Sequence, residues 1–106
     1  MNKYNEVIDN IRKVAKQTLP PKGHVYLYGS RARGDANKDS DWDLLVILDK
    51  SRIEQDDYDN VTYPLTALGW TMGEMIIPVI YTKKEWDDNS FTPFYKNVEQ
   101  DGILLV

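Results

Sequence analysis

The sequence predicts a single domain, residues 1–106, that mixes helices with strands. Three observations predict it. Val7, Ile8, Ile11, Val14 and Ala15 recur at helical spacing until Pro20 and Pro21 stop the pattern. Two runs of strand length follow, alternating in HVYLY (His24–Tyr28) and almost continuously apolar in WDLLVIL (Trp42–Leu48). And 106 residues with 42% hydrophobic content suffice for one modest core, with no room for a second domain.

Taken in order, residues 5–19 form an amphipathic helix and His24–Tyr28 a strand. The unbroken apolar character of Trp42–Leu48 suits a central strand covered on both faces. Residues 52–68 read as a weak helical region, interrupted by Pro64 and closed by Gly69, with the acidic run 54–59 as a solvated face. Residues 75–81 form a third strand, which Pro78 assigns to a sheet edge or a bulge. Thr82-Lys83-Lys84-Glu85 matches a capping box that opens a short helix, and Thr92-Pro93 with Gly102 brackets another. The closing Ile-Leu-Leu-Val is a last strand.

Composition excludes several functions. The chain has no cysteine and one histidine, His24, so neither a disulfide framework nor a Cys/His metal cluster is available and any bound metal must take oxygen ligands. A net charge of −4 argues against an extended nucleic-acid footprint, which needs clustered Lys and Arg; a small phosphorylated ligand needs far less. The charged start, MNKYNEVIDNIRKVAKQ, has the apolar stretch of neither a signal peptide nor a membrane span, so the expected location is cytoplasmic.

The chemistry concentrates in GSRARGDANKDSDWDLLVIL, residues 29–48. A phosphate-binding Walker loop fails here, because Asp35-Ala36 stands where Lys-Ser/Thr belongs. A calcium loop fails in both registers, since Val46 or Lys50 falls where the bidentate Glu is required. Arg33-Gly34-Asp35 spells an adhesion tripeptide, but without an export signal it carries little weight. What remains is a strand that ends in Gly29-Ser30. There a residue without a side chain lets the backbone approach a phosphate and the hydroxyl donates one more hydrogen bond. Ten residues later come Asp41 and Asp43, two apart and so on one face of a strand. Their mutual repulsion is relieved by a divalent cation such as magnesium, held by one or two carboxylates together with substrate phosphates.

Residues 25–48 resemble the signature of the DNA polymerase beta-like nucleotidyltransferase superfamily, and within it the minimal nucleotidyltransferases; the ending TPFYKNVEQDG is similar to the tail of these small proteins. The resemblance implies an α+β nucleotidyltransferase fold, a mixed β-sheet with helices packed mainly on one face. It implies that Gly29 and Ser30 hold the triphosphate of an NTP, most simply ATP, that Asp41 and Asp43 bind Mg2+, and that Arg33 and Arg31 neutralise phosphate charge. The implied reaction is in-line attack of an acceptor hydroxyl on the α-phosphorus with loss of pyrophosphate. A third carboxylate is expected on the next core strand, where only Glu74 qualifies; if that strand runs parallel and adjacent, Glu74 can converge with Asp41 and Asp43. The chain leaves no room for an acceptor-binding domain, so a partner protein is expected. The resemblance points to a helical HEPN toxin as that partner, which some members of the family neutralise by adenylylating a tyrosine; an antitoxin role is the corresponding expectation for this chain. Self-association stays open. Two other readings compete: a module that regulates a partner by contact after losing catalysis, and a transferase acting on a small molecule.

Overall fold

The computed structural model describes residues 2–106. Helix α1 (Lys3–Thr18) starts where the Asn2 side chain accepts a hydrogen bond from the Asn5 N–H at 2.8 Å, and it buries Val7, Ile8, Ile11 and Ala15. It stops at Leu19, which turns extended ahead of the two prolines. Strand β1 (His24–Tyr28) follows, then Gly29 and a single helical turn, α2 (Ser30–Arg33), then strand β2 (Trp42–Leu48). A helical stretch is built from α3 (Gln55–Asp57), a π-helical turn at Tyr58–Thr62 and α4 (Tyr63–Met72). Strand β3 (Ile76–Thr82), α5 (Lys83–Asp88), α6 (Pro93–Asp101) and a two-residue strand β4 (Ile103–Leu104) complete the chain.

The strands form one sheet in the order β3-β2-β1-β4, with β2 and β3 parallel and the other pairs antiparallel, so the fold is α+β with a mixed sheet. Alternation divides the side chains between the two faces. Val25, Leu27, Trp42, Leu44, Val46, Leu48 and Ile76 pack with α1 and α4 in the larger core. On the opposite face Leu45 and Ile47 pack with Trp86 of α5 and Val98 of α6, flanked by Tyr26, Tyr28, Tyr81, Phe94 and Tyr95. β2 is therefore buried on both faces, as its apolar run predicts, except at its first turn, where Asp43 stands on the second face.

Three expectations need correction. Pro64 does not interrupt the 52–68 helix: it sits in the first turn of α4, where a missing N–H costs nothing, directly after the π-helical turn. Gly69 does not end that helix. A Cβ there would press into the Glu74 carbonyl oxygen and Ile76, so Gly69 lets α4 lie close on the entry to β3, and Gly73, at φ +71°, provides the stop. Nor is the acidic run wholly solvated, because Asp57 is buried and bonded to Lys50 Nζ at 2.9 Å. Pro78 does lie on an edge strand, since β3 pairs only with β2. Among the described residues no helix is long and apolar enough to cross a membrane.

Candidate active site

Tyr28, the last residue of β1, pairs across the sheet with Asp43, so the turn that follows β1 is delivered beside the start of β2. Gly29 makes this approach feasible. Its φ of +75° is strained for other residues, and a Cβ on it would overlap the Asp43 carboxylate. The turn is closed by N–H donors from Ala32 and Arg33 to the Gly29 carbonyl, at 3.1 Å each, and from Gly34 to the Ser30 carbonyl at 3.0 Å. Ser30, half-buried, thus stands next to the acid pair.

Asp41 is exposed at the strand entry and Asp43 half-buried, with Trp42 between them turned into the opposite core. The Asp43 carboxyl is pushed above the ordinary aspartate range by burial first and then by the negative charge of Asp41, while the positive charge of Arg33 opposes the shift. Burial, followed by the charge of Asp43, likewise raises the Tyr28 phenol. The structure therefore brings Gly29, Ser30, Arg33, Asp41 and Asp43 to one end of one face. Arg33 holds Asp35 at 3.1 Å through a largely exposed ion pair that a stronger anion can displace. Sequence reading missed Tyr28 at this site; its signal was its position as the last strand residue before Gly29-Ser30.

Two expected members are elsewhere. β3 is parallel to β2 and adjacent, as the convergence of Glu74 requires, but Trp42 pairs with Ile76 and Asp43 with Ile77. Glu74 therefore falls on the Trp42 side, where its carboxylate accepts from the Trp42 indole N–H at 2.8 Å and lies 3.7 Å from Arg31. Beside Asp43 on the acid face stands Ile77. Among the described residues no three His, Cys, Asp or Glu side chains group to hold a metal ion, so Glu74 does not complete the pair. Arg31 is likewise turned away: its guanidinium stacks 4.4 Å from the Trp42 ring centre, and its side chain is only 12% exposed. A cavity of about 650 Å³ between the sheet, α5 and α6 is lined by Tyr26, Leu45, Ile47, Trp86 and Tyr95 but by neither acid. At the acid end of that face Asp41 is exposed.

A glycine-serine turn against two carboxylates, with an arginine alongside, defines a site for a phosphorylated substrate at a pair of hard oxygen donors. The family model described as nucleotidyltransferase domain matches residues 8–102, and the chain belongs to that family. A relative from Methanocaldococcus jannaschii, named by inference a protein adenylyltransferase, is 30% identical over 81 residues, which is 76% of this chain and 75% of that protein. Two solved structures share the fold. One, a toxin-antitoxin with AMP-PNP, aligns with a TM-score of 0.62 at 17% identity over 99% of this chain and 73% of the other. The second comes from Sulfolobus solfataricus and is named by inference a nucleotidyltransferase. It aligns with a TM-score of 0.51 at 22% identity over 98% and 86%. The sequence resemblance to the nucleotidyltransferase superfamily holds, and the chain is a transferase of nucleotidyl groups.

Proposed function

We propose that this chain moves AMP from ATP to a hydroxyl of a partner protein, with magnesium held by Asp41 and Asp43. The observation that carries this reading is the meeting of Gly29-Ser30 with the two acids. In this reading Gly29 lets the triphosphate lie close to the backbone, the Ser30 hydroxyl donates to a phosphate oxygen, and Arg33 exchanges Asp35 for phosphate charge. A carboxylate, Asp43, whose proton affinity is raised by burial and then by the charge of Asp41 beside it fits a magnesium ion, which takes few protein oxygens and completes its shell with phosphate and water. When bound, the metal supplies Lewis-acid stabilisation of phosphate charge. The acceptor oxygen bonds to the α-phosphorus, the bond to the β-phosphate oxygen breaks, and pyrophosphate leaves.

Choice of ATP and of a protein acceptor draws support from the relative named for protein adenylylation and from the fold neighbour crystallised with an ATP analogue in a toxin-antitoxin complex. A tyrosine on a helical HEPN toxin is the acceptor that fits these two together. With Ile77 beside Asp43 and Glu74 on the other face, the acceptor's proton is taken by a group that the partner or water supplies.

The test is to incubate the protein with ATP labelled at the α-phosphate, magnesium and the candidate toxin. Label on the toxin, absent with γ-labelled ATP and absent with Asp43→Asn, is the expected result. ATP binding without transfer to the toxin would overturn this reading in favour of a module that acts by contact or a transferase for a small-molecule acceptor.

A further inference from the structure

Arg31 and Glu74 were both expected at the phosphate and metal site, and both lie together on the far side of β2. There the Arg31 guanidinium stacks on Trp42, its Nη2 donates to the Ser40 carbonyl at 2.9 Å, and Glu74 joins Trp42 to the same cluster. Tyr4 of α1 closes the other side, donating its hydroxyl to the Arg31 carbonyl at 3.2 Å and packing its ring 5.3 Å from Trp42. The cluster is not built for stability. Among the described residues, Arg31 Nε is a buried donor without a partner, and its ion pair with Glu74 spans 3.7 Å between side chains only 12% and 14% exposed. A buried ion pair of this kind is weak evidence of a contribution to stability.

What the cluster does is connect. Arg31 follows Ser30 directly, Ser40 precedes Asp41, and Trp42 stands between the two acids. Arg31 Nη2 also reaches the Lys38 carbonyl at 3.5 Å, and the remaining bonds in residues 37–40 join that segment to itself: Ser40 N–H to the Asn37 carbonyl, Asn37 N–H to Ser40 Oγ, and Asp39 N–H to Asn37 Oδ1. One guanidinium thus fastens the peptide beside the phosphate serine to the peptide beside the first acid.

We propose that Arg31 is a positioning residue: stacked on Trp42, bonded to Ser40 and countered by Glu74, it sets the separation between the Ser30 turn and the Asp41–Asp43 pair. Its consequence for catalysis rests on the nucleotidyl-transfer reading above. A planar fork is required, because lysine keeps the charge and three donors but has no flat group to lie on the indole while donating in its plane to Ser40.

The experiment compares Arg31→Lys, Glu74→Ala and Glu74→Gln with the parent protein. It measures transfer from ATP, melting temperature, and the backbone-amide and indole N–H resonances of ¹⁵N-labelled protein without nucleotide. Arg31→Lys is expected to lower kcat about tenfold or more with KM for ATP within about threefold, because phosphate binding survives while its alignment with the acids does not. Glu74→Ala should act in the same direction, and Glu74→Gln, which keeps an acceptor for the indole, should recover most of the loss. In the spectra Arg31→Lys should move the amides of residues 29, 30, 41 and 43 together with the Trp42 indole. A rise in KM with kcat intact would make Arg31 a phosphate ligand and overturn the proposal. So would a lower melting temperature with unchanged kinetics, or a Glu74→Gln variant as inactive as Asp43→Asn. If the parent protein transfers nothing, the functional reading fails, and the spectra alone decide the clamp: shifts confined to residues 31–33 refute it. If Arg31→Lys does not fold, the two Glu74 variants carry the same comparison.

Discussion

At Asp43 stability and chemistry pull apart. Its carboxylate is crowded by Asp41 and by burial, so Asp43→Asn should leave the melting temperature in metal-free buffer unchanged or higher. The same variant should lose nucleotidyl transfer by about a hundredfold or more and bind ATP with magnesium more weakly in calorimetry. Gly29 and Ser30 separate backbone from side chain: Ser30→Ala should weaken ATP binding by about 0.5–1.5 kcal/mol, one hydrogen bond. Gly29→Val should abolish binding and lower the melting temperature, since its side chain meets the Asp43 carboxylate in a strained backbone. An equally small effect of both changes would take this turn out of phosphate contact. The placement of Gly29, Ser30, Asp41 and Asp43 was legible because their relations are local: a strand end, its turn, and two acids two positions apart. Arg31 and Glu74 were not. Their places depend on which residue of β3 pairs with which residue of β2, and one step in that register sends a side chain to the other face.

Among the elements, α5 shows how a local signal supports a distant surface. Thr82 Oγ1 accepts from the Glu85 N–H at 3.0 Å and Glu85 accepts from the Thr82 N–H at 2.8 Å, the reciprocal bonds of the predicted capping box. The helix they start places Trp86 against Leu45 and Ile47. Thr82→Ala should therefore cost about 1 kcal/mol in urea unfolding, with the slope of the transition unchanged. Capping could be read from sequence because its partners lie three residues apart. The middle helix could not be read as well: a π-helical turn displaces the register just before Pro64, and Gly69 serves packing against Ile76 rather than termination. Both depend on what the helix rests upon.

For the molecule as a whole, the ion pair between Lys50 and Asp57 ties the segment after β2 to the helices that cover the larger core. Burial pushes the Asp57 carboxyl up, but the Lys50 hydrogen bond, the Glu54 N–H and the Lys50 charge outweigh it and hold the group below the usual aspartate value. A folded-state value below the unfolded one stabilises the protein at higher pH, and that contribution fades as pH falls through the ordinary value of 3.8 and then through the folded one. The melting temperature of Asp57→Asn should therefore fall short of the parent's near neutral pH and approach it below about pH 4. A mixed sheet with helices mainly on one face was implied by the family resemblance; the structure places α1 and α4 on the face of the larger core, and its strand order reflects pairings between segments far apart in the chain. The most distant of these joins β4 to β1, where Leu105 donates to Val25 at 2.8 Å and Arg12 reaches the Leu105 carbonyl at 3.1 Å. On the ribosome the partners are made roughly 75 residues apart, about 4–15 s at ordinary synthesis rates, and for that interval the outer edge of β1 has no neighbour. Until then that edge is open to strand pairing with another chain, the exposure through which sheet edges aggregate.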